Sequence, residues 1–242
     1  SHDGIIEIEE EAAPGTPAAE YYHVESDYVL EVDLTPNRVD AASHYGVARD
    51  LSAWLGCHAK ASAPHRPSVD AFKADVAEGG IKVRVENTEA CPRYTGVTIK
   101  GVTVKESPDW LKERLLAIGM RPINNIVDVT NYILLGLGQP LHCFDCDKIA
   151  GGEIVVKNCA EGTPFTTLDG VERKLSDKDL MICNADEPMC IAGVFGGLDS
   201  GVTESTTSVF IESAYFNPTS VRKTARRHGL QTDSSFRYER GC

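Results

Sequence analysis

The chain has 242 residues, of which 42% are apolar and 25% charged, and its formal net charge is −12 at pH 7. This apolar content suffices for a sizeable core, so the composition excludes a largely disordered chain, and the length allows two domains. No apolar run reaches the roughly 20 residues of a membrane helix, so no membrane partner is expected. The acidic start SHDGIIEIEEE lacks the basic and apolar regions of a signal peptide, which predicts a cytoplasmic location.

The first sixty residues contain one predicted strand and one predicted helix. Apolar and acidic residues alternate over 30–34, which is typical of a half-buried strand. Apolar residues recur at helical spacing over 47–55, and Gly56 is expected to end that helix. Prolines, alanines and serines then dominate residues 57–80 and indicate a linker.

Strand patterns follow the linker, and then a helix. Residues 81–85 and 94–99 alternate with period two. Ser107 is predicted to be the N-cap of a helix that has Pro108 as its first residue and that Gly119 closes.

The remaining half contains mostly strands. A helix over 126–133 is expected first, with its end at Gly136 or Gly138. Turn residues and apolar runs then predict strands over 153–157, 165–168, 171–175, 180–183, 189–194 and 209–215. A basic helix follows, which Asn217 caps and Gly229 ends. Strands in runs with a few interspersed helices favour an α+β fold.

The eight cysteines include a C-x-x-C pair, Cys143 and Cys146, directly after His142. A structural zinc site needs four ligands, and the only plausible second pair, Cys183 and Cys190, lacks a standard zinc spacing. A thioredoxin-like redox pair requires a βαβ context that the sequence does not provide. Packing as small apolar residues is therefore favoured over both, and no metal site is expected.

Two features are compatible with either a binding site or a structural role. Period two places Phe210, Glu212 and Ala214 on one face of an apolar strand, where a carboxylate is costly to bury unless it is paired. Glu212 is therefore either a solvated edge position or part of a site. The glycine-rich segment 192–197 either lets backbone approach a ligand closely or forms a tight bend at a sheet corner.

The charge is distributed unevenly along the chain. Residues 217–242 carry a net charge of +4, so residues 1–216 carry −16. The acidic total argues against general affinity for nucleic acid. A concentrated basic patch on an acidic body, interleaved with Phe236 and Tyr238, can still contact a phosphate backbone.

Five segments resemble the β subunit of bacterial phenylalanine–tRNA ligase and follow one another in that family's order. They are DLTPNRVDAASHYGVARDLSAWLG, RPINNIVDVTNYILLGLGQPLHCFD, IAGVFGGLDSGV, FIESAYFNPTSVRKTARRHGL and TDSSFRYERG. Together they cover most of residues 27–241, so the resemblance is specific.

The resemblance implies a division of the chain into three parts. Residues 1–60 are similar to the second half of a small N-terminal α+β domain, 61–84 would be a linker, and 85–242 is similar to the family's editing domain. That domain has a three-layer α+β fold around a β-sandwich of unusual topology. We therefore expect a fragment of a longer protein, an expectation that the ending ERGC also favours.

The same resemblance implies a hydrolytic function. In the family, the editing domain hydrolyses the ester of tyrosine wrongly attached to phenylalanine tRNA. The synthetic site, with its ATP and magnesium, belongs to the α subunit, so this chain is expected to need no cofactor and to lack synthetic activity. The expected partners are phenylalanine tRNA carrying tyrosine and, in the full enzyme, the α subunit.

The resemblance also assigns roles to individual residues. Glu212 matches the glutamate that receives the tyrosine hydroxyl, and His142 matches a histidine near the scissile ester, which would orient or activate water or hold the terminal ribose. Further substrate-binding positions are implied at Thr130, Asn131, Pro140, Ala192, Gly193, Gly196, Thr232 and Ser234. Contacts to tRNA are expected from Arg121, Arg222, Arg226 and Arg227.

The chain departs from the family pattern at two of these segments. Alanine usually follows the motif histidine, where this chain has Cys143, and alanine usually occupies the position of Ser234. No G-x-S-x-G nucleophile motif is present, so hydrolysis by a bound water is expected. The alternative function is a tRNA-positioning module whose editing activity has decayed.

Overall fold

The computed structural model describes most of the chain, namely Ile8 and residues 12–22, 27–76 and 79–241. The rest of the acidic start and the terminal Cys242, on which the expectation of a cut chain partly rests, lie outside the described residues. The chain divides into two compact units, one up to Val32 and the other from Asp33 onward. In the first unit, the described residues form helix α1, Ala18–Tyr21.

Among the described residues of the second unit, five further α-helices and ten strands are formed. The helices are α2 His44–His58, α3 Asp109–Ala117, α4 Asn125–Leu137, α5 Pro218–His228 and α6 Asp233–Tyr238. The strands are β1 Lys82–Val85, β2 Arg93–Lys100, β3 Leu141–Asp145, β4 Glu153–Asn158, β5 Pro164–Thr166, β6 Glu172–Lys174, β7 Leu180–Cys183, β8 Pro188–Ile191, β9 Phe195–Gly196 and β10 Ser208–Tyr215. None of the described helices combines the length and the apolar character needed to cross a bilayer.

The strands form two main sheets and a separate hairpin. One sheet has the order β1-β4-β7-β8-β9, in which β1 runs parallel to β4 and the other pairs are antiparallel. The other sheet has the antiparallel order β2-β10-β3, and β5 pairs with β6. The predicted α+β class is confirmed.

A single apolar core joins these layers. Buried side chains from both main sheets, such as Ile182 of β7 and Phe210 of β10, belong to one contiguous cluster. Val221 and Ala225 of α5 pack into the same cluster, which adds a helical layer. The site described below lies on the β2-β10-β3 sheet, so this core determines how rigidly its residues are held.

The predicted strand over 30–34 is wrong. These residues form no regular element, and the Leu30 side chain is 85% exposed. Alternation of apolar residues yields a strand only where a neighbouring strand supplies hydrogen bonds, and no described strand pairs with this segment. By contrast, the strand expected over 81–85 forms β1, which overlaps the last residues of the proposed linker.

Two predicted helix boundaries are also wrong. Helix α2 continues past Gly56 to His58, because Gly56 does not adopt the left-handed conformation that ends helices. Ser107 does not cap α3, since its buried hydroxyl donates to Asp128 Oδ2 at 2.6 Å, and Pro108 occupies the N-cap position. The ends expected at Gly138 and Gly229 are confirmed, and both glycines are left-handed.

Strand β3 contains the sequence LHCFD, for which no strand was predicted. It pairs with β10 so that His142 lies opposite Glu212 and Phe144 opposite Phe210. On the other side of β10, Glu212 lies opposite Gly96 of β2. A side chain at position 96 would meet Phe210, whose Cζ lies 2.0 Å from the place of a Cβ, so glycine leaves room for that ring.

Candidate functional site

Glu212 lies on the central strand of its sheet and is only 4% exposed. The alternative of a solvated edge position is therefore wrong, because β10 is hydrogen-bonded on both sides. A buried carboxylate without a hydrogen bond would cost several kcal/mol. Glu212 has one such bond, which the Tyr94 hydroxyl donates to Oε2 at 2.7 Å.

The surroundings of Glu212 set its protonation. Burial raises the pKa of Glu212 to about 7, and the hydrogen bond from Tyr94 acts in the opposite direction because it favours the ionised form. The carboxyl group therefore titrates near neutral pH. Perturbation of this kind in a concave site is typical of functional residues, although structural networks also produce it.

His142 faces the same side of the sheet as Glu212 and is also perturbed. Burial lowers the pKa of His142 to about 4, so the imidazole is neutral at pH 7. Its Nε2 atom is buried and has no hydrogen-bond partner among the described residues. The ring packs edge-on against Phe144, with 4.5 Å between centroids. An unpaired buried nitrogen is uncommon in folded proteins and suggests that a ligand completes it.

Glu212 and His142 line a single pocket of about 280 Å³. Its walls come from α4, from β3, β8, β9 and β10, and from the start of α6. The predicted site residues that line it are Asn131, Pro140, His142, Gly193, Gly196, Glu212, Thr232 and Ser234. The structure thus brings eight of the predicted positions to one place, although their roles stay predictions.

Two predicted binding residues do not line this pocket. The hydroxyl of Thr130 is directed to its own helix, where it donates to the Val127 carbonyl oxygen at 2.7 Å. Ala192 is buried within the apolar core. Both positions are buried and adjoin a pocket residue in the sequence, Asn131 and Gly193 respectively.

Two positions of the glycine-rich segment 192–197 require glycine for different structural reasons. Gly193 has a φ of +69°, and a Cβ there would lie 2.9 Å from the Phe216 ring, which fits the interpretation as a bend. Gly196 instead faces the pocket, where a Cβ would lie 3.0 Å from the His142 ring and 2.9 Å from Leu168. Glycine at 196 therefore keeps the space beside the imidazole open.

Side-chain hydrogen bonds hold the C-terminal wall of the pocket in place. Thr232 caps α6 and also donates to the Val194 carbonyl oxygen at 2.9 Å, which ties the helix start to the glycine-rich turn. Gln139 donates to the Ala214 carbonyl oxygen at 3.1 Å, and the Tyr238 hydroxyl donates to the same oxygen at 3.2 Å. These contacts place Ser234, one of the two departures from the family pattern, at the pocket.

The cysteines beside His142 have the environment of packing residues. Cys143 is buried, and burial raises the pKa of its thiol to about 12, while that of Cys146 rises to about 11 for the same reason. Thiols with such pKa values are poor nucleophiles at neutral pH. Over the part of the chain that the structure describes, no group of three or more His, Cys, Asp or Glu residues is arranged to hold a metal ion.

The predicted tRNA-binding arginines fall into two kinds. Arg121, Arg222 and Arg226 are exposed. Arg227 is also exposed, but its guanidinium forms an ion pair with Asp179, whose side chain is fully buried. Asp179 also contacts His228 Nε2 at 2.7 Å, so this cluster anchors the end of α5 to the loop before β7.

Sequence reasoning found neither the hydrogen-bond partner of Glu212 nor several residues that line the pocket. Tyr94 lies more than a hundred residues before Glu212, and no local pattern indicates that β2 and β10 are neighbours. The pocket residues that were missed include Leu168, Cys190, Phe195 and Tyr238. The one available signal was the alternation over 94–99, which places Tyr94 and Gly96 on one face.

Comparison with known proteins assigns the chain to a family. The pattern of the B3/4 domain matches residues 90–242. The chain belongs to the B3/4 domain family. It is 69% identical, over its whole length, to a phenylalanine–tRNA ligase β subunit from Bacteroides fragilis and 61% identical to one from Porphyromonas gingivalis. The resemblance drawn from the sequence is thus confirmed.

The chain spans 29% of the length of these β subunits. Among solved structures, an N-terminal fragment of the phenylalanyl-tRNA synthetase β-subunit from Pyrococcus horikoshii matches 81% of this chain and 60% of that one. The match has a TM-score of 0.46 and 18% sequence identity.

The opposite pKa shifts of Glu212 and His142 predict opposite effects of pH on stability. Glu212 binds its proton more tightly when folded, so its contribution falls as pH rises from about 4.5 to about 7. His142 binds its proton more weakly when folded, so its contribution rises between about pH 4 and 6.5. Glu212→Gln removes the first effect alone. Relative to the wild type, its free energy of unfolding should increase by about 1–3 kcal/mol between pH 5 and 7.5.

Urea unfolding at a series of pH values measures this difference. Glu113→Gln on the exposed face of α3 is the matched control, and its difference from the wild type should stay constant. A Glu212→Gln difference that is equally flat would show that the carboxyl group does not titrate as described.

Proposed function

We propose that this chain is an editing module that hydrolyses the ester of tyrosine mischarged on phenylalanine tRNA. The single observation that carries the proposal is the buried Glu212 opposite the half-buried His142 in one pocket. The identity to phenylalanine–tRNA ligase β subunits supplies the context. Synthesis, with its ATP and magnesium, would reside in the α subunit of the full enzyme.

Glu212 would provide the selectivity for tyrosine. Tyr94 occupies Oε2, and no described residue donates to Oε1, which leaves an acceptor for the substrate hydroxyl. A phenylalanine side chain in the same place would leave that acceptor without a partner. Loss of a hydrogen bond to a charged group costs about 1.5–3 kcal/mol, so such a site rejects phenylalanine more strongly than an apolar pocket rejects tyrosine.

His142 would orient the reacting groups rather than act as a strong base. An effective general base has a pKa near the working pH, and the pKa of His142 is about 4. Its unpaired Nε2 can hold the attacking water or a hydroxyl of the terminal ribose. The water oxygen would attack the ester carbonyl carbon, the bond to the ribose oxygen would break, and a proton from water would pass to that oxygen. Free tyrosine and uncharged tRNA result.

The second candidate function is a tRNA-positioning module without catalysis. The observation that favours it is the exposed basic side of α5, which carries Arg222, Lys223 and Arg226 on an acidic chain. Both functions require tRNA contact, so binding alone does not separate them. Hydrolysis of the mischarged ester does.

Replacement of Glu212 tests the editing function. In the full enzyme, Glu212→Ala should slow deacylation of tyrosine-charged phenylalanine tRNA about 10- to 100-fold, because the hydroxyl loses its acceptor. Deacylation of the phenylalanine-charged tRNA is the control and should not slow. Equal tyrosine rates in the variant and the wild type would contradict the role of Glu212, and absence of deacylation in both would favour the non-catalytic module.

Neighbouring arginines on α5 offer a matched pair for the tRNA contact. Arg226→Ala should weaken tRNA binding and reduce its salt dependence without affecting stability, because the side chain is exposed. Arg227→Ala should lower the free energy of unfolding by about 1–3 kcal/mol, because Asp179 loses its ion-pair partner. Filter-binding titrations at several salt concentrations and urea unfolding measure the two effects. If Arg226→Ala binds tRNA as the wild type does, α5 is not the contact.

A further inference from the structure

Tyr94 is placed by the sheet to reach the Glu212 carboxylate. It lies opposite Ala214 on β10, and Gly96, two residues along, lies opposite Glu212 itself. Tyr94 and Glu212 are therefore diagonal neighbours on one face, within reach of a long side chain. The Tyr94 hydroxyl donates to Oε2 at 2.7 Å, a normal distance for an O–H···O hydrogen bond.

The direction of this hydrogen bond is fixed while Glu212 is ionised. Burial and the nearby Glu212 raise the pKa of the Tyr94 phenol well above its usual value, so it keeps its proton over the whole physiological range. While Glu212 is ionised, Tyr94 is thus the donor and Oε2 the acceptor. The chain itself presents to Glu212 the same chemical group, a phenol, that the proposed substrate would present.

We propose that Tyr94 is a positioning residue for the Glu212 carboxylate. Its hydroxyl binds Oε2, so that only Oε1 remains as an acceptor for the hydroxyl of the substrate side chain. The inference rests on the proposed editing function. With one oxygen held, the carboxylate is prevented from rotating, and its free acceptor has a single direction in the pocket. The site then selects a side chain with a hydrogen-bond donor beside Oε1, which tyrosine has and phenylalanine lacks.

Tyr94 is also the group that favours the charged form of Glu212. The titratable groups around the carboxylate are Tyr94 from β2, His142 opposite on β3, Cys190 from β8, and Cys91 just before β2. Burial raises the pKa of Glu212, and the hydrogen bond from Tyr94 is what lowers it. Loss of the Tyr94 hydroxyl should therefore raise that pKa and leave more of the carboxyl group protonated at pH 7.

The variant Tyr94→Phe removes this hydroxyl and keeps the ring. Thr95→Val is the matched control, because its hydroxyl also donates to β10, at 2.6 Å from the Ser213 carbonyl oxygen, but belongs to the opposite face of the sheet. Both are made in the full enzyme, and thermal unfolding establishes that each is folded.

Two measurements on these variants separate the possible outcomes. Infrared spectra of enzyme with ¹³C-labelled glutamate, taken as the difference from the corresponding Glu212→Gln protein, follow the Glu212 carboxylate band as the pH changes. Tyr94→Phe should raise the midpoint of the Glu212 titration by about one pH unit, and Thr95→Val should leave that midpoint unchanged. Deacylation kinetics should show the ratio of tyrosine to phenylalanine kcat/KM falling about tenfold at pH 7 in Tyr94→Phe, and recovering at higher pH.

An unchanged midpoint of the Glu212 titration in Tyr94→Phe would overturn the inference. A shifted midpoint with an unchanged ratio of tyrosine to phenylalanine kcat/KM would overturn it as well, because Tyr94 would then be only a structural contact. Failure of the proposed function has a different signature, because the wild type itself would then not deacylate tyrosine-charged phenylalanine tRNA.

Discussion

The pairing of β3 with β10 is the constraint on which the site depends. It sets His142 opposite Glu212 and directs both into one pocket, although seventy residues separate them in the chain. Shifting the register by one residue would turn one strand's set of side chains to the other face. Phe144 opposite Phe210, both fully buried in the same sheet, opposes such a shift. The apolar core thus fixes a polar arrangement that would be unfavourable by itself.

Burial of these two residues has a cost that the rest of the domain must offset. Each side chain is shifted toward its neutral form, the carboxyl by a raised pKa and the imidazole by a lowered one. The Tyr94 hydroxyl satisfies one oxygen of Glu212, while His142 Nε2 has no partner in the part of the chain that the structure describes. Unsatisfied polar groups of this kind persist where the surrounding structure over-determines their position. A substrate with a hydroxyl at one end and an ester at the other would supply the missing partners.

Local patterns in the sequence predicted most elements of the second unit, and non-local pairing could not be predicted from them. Capping residues such as Asn217 and Gly138 marked helix ends correctly, because a cap is a property of neighbouring residues. The alternation around Glu212 indicated an unusual carboxylate. It could not show that β10 is central, since that depends on β2 and β3 elsewhere in the chain. The alternation over 30–34 failed for the same reason, as no described strand pairs with it.

A crystal structure of the full enzyme with a non-hydrolysable amide analogue of tyrosyl-adenosine tests the central claim most directly. The phenol oxygen of the analogue should lie within hydrogen-bond distance of Glu212 Oε1, with the Tyr94 hydroxyl still on Oε2 and the amide that replaces the ester in the same pocket. An analogue bound outside this pocket, or bound within it with its phenol directed away from Glu212, would contradict the proposed use of the carboxylate.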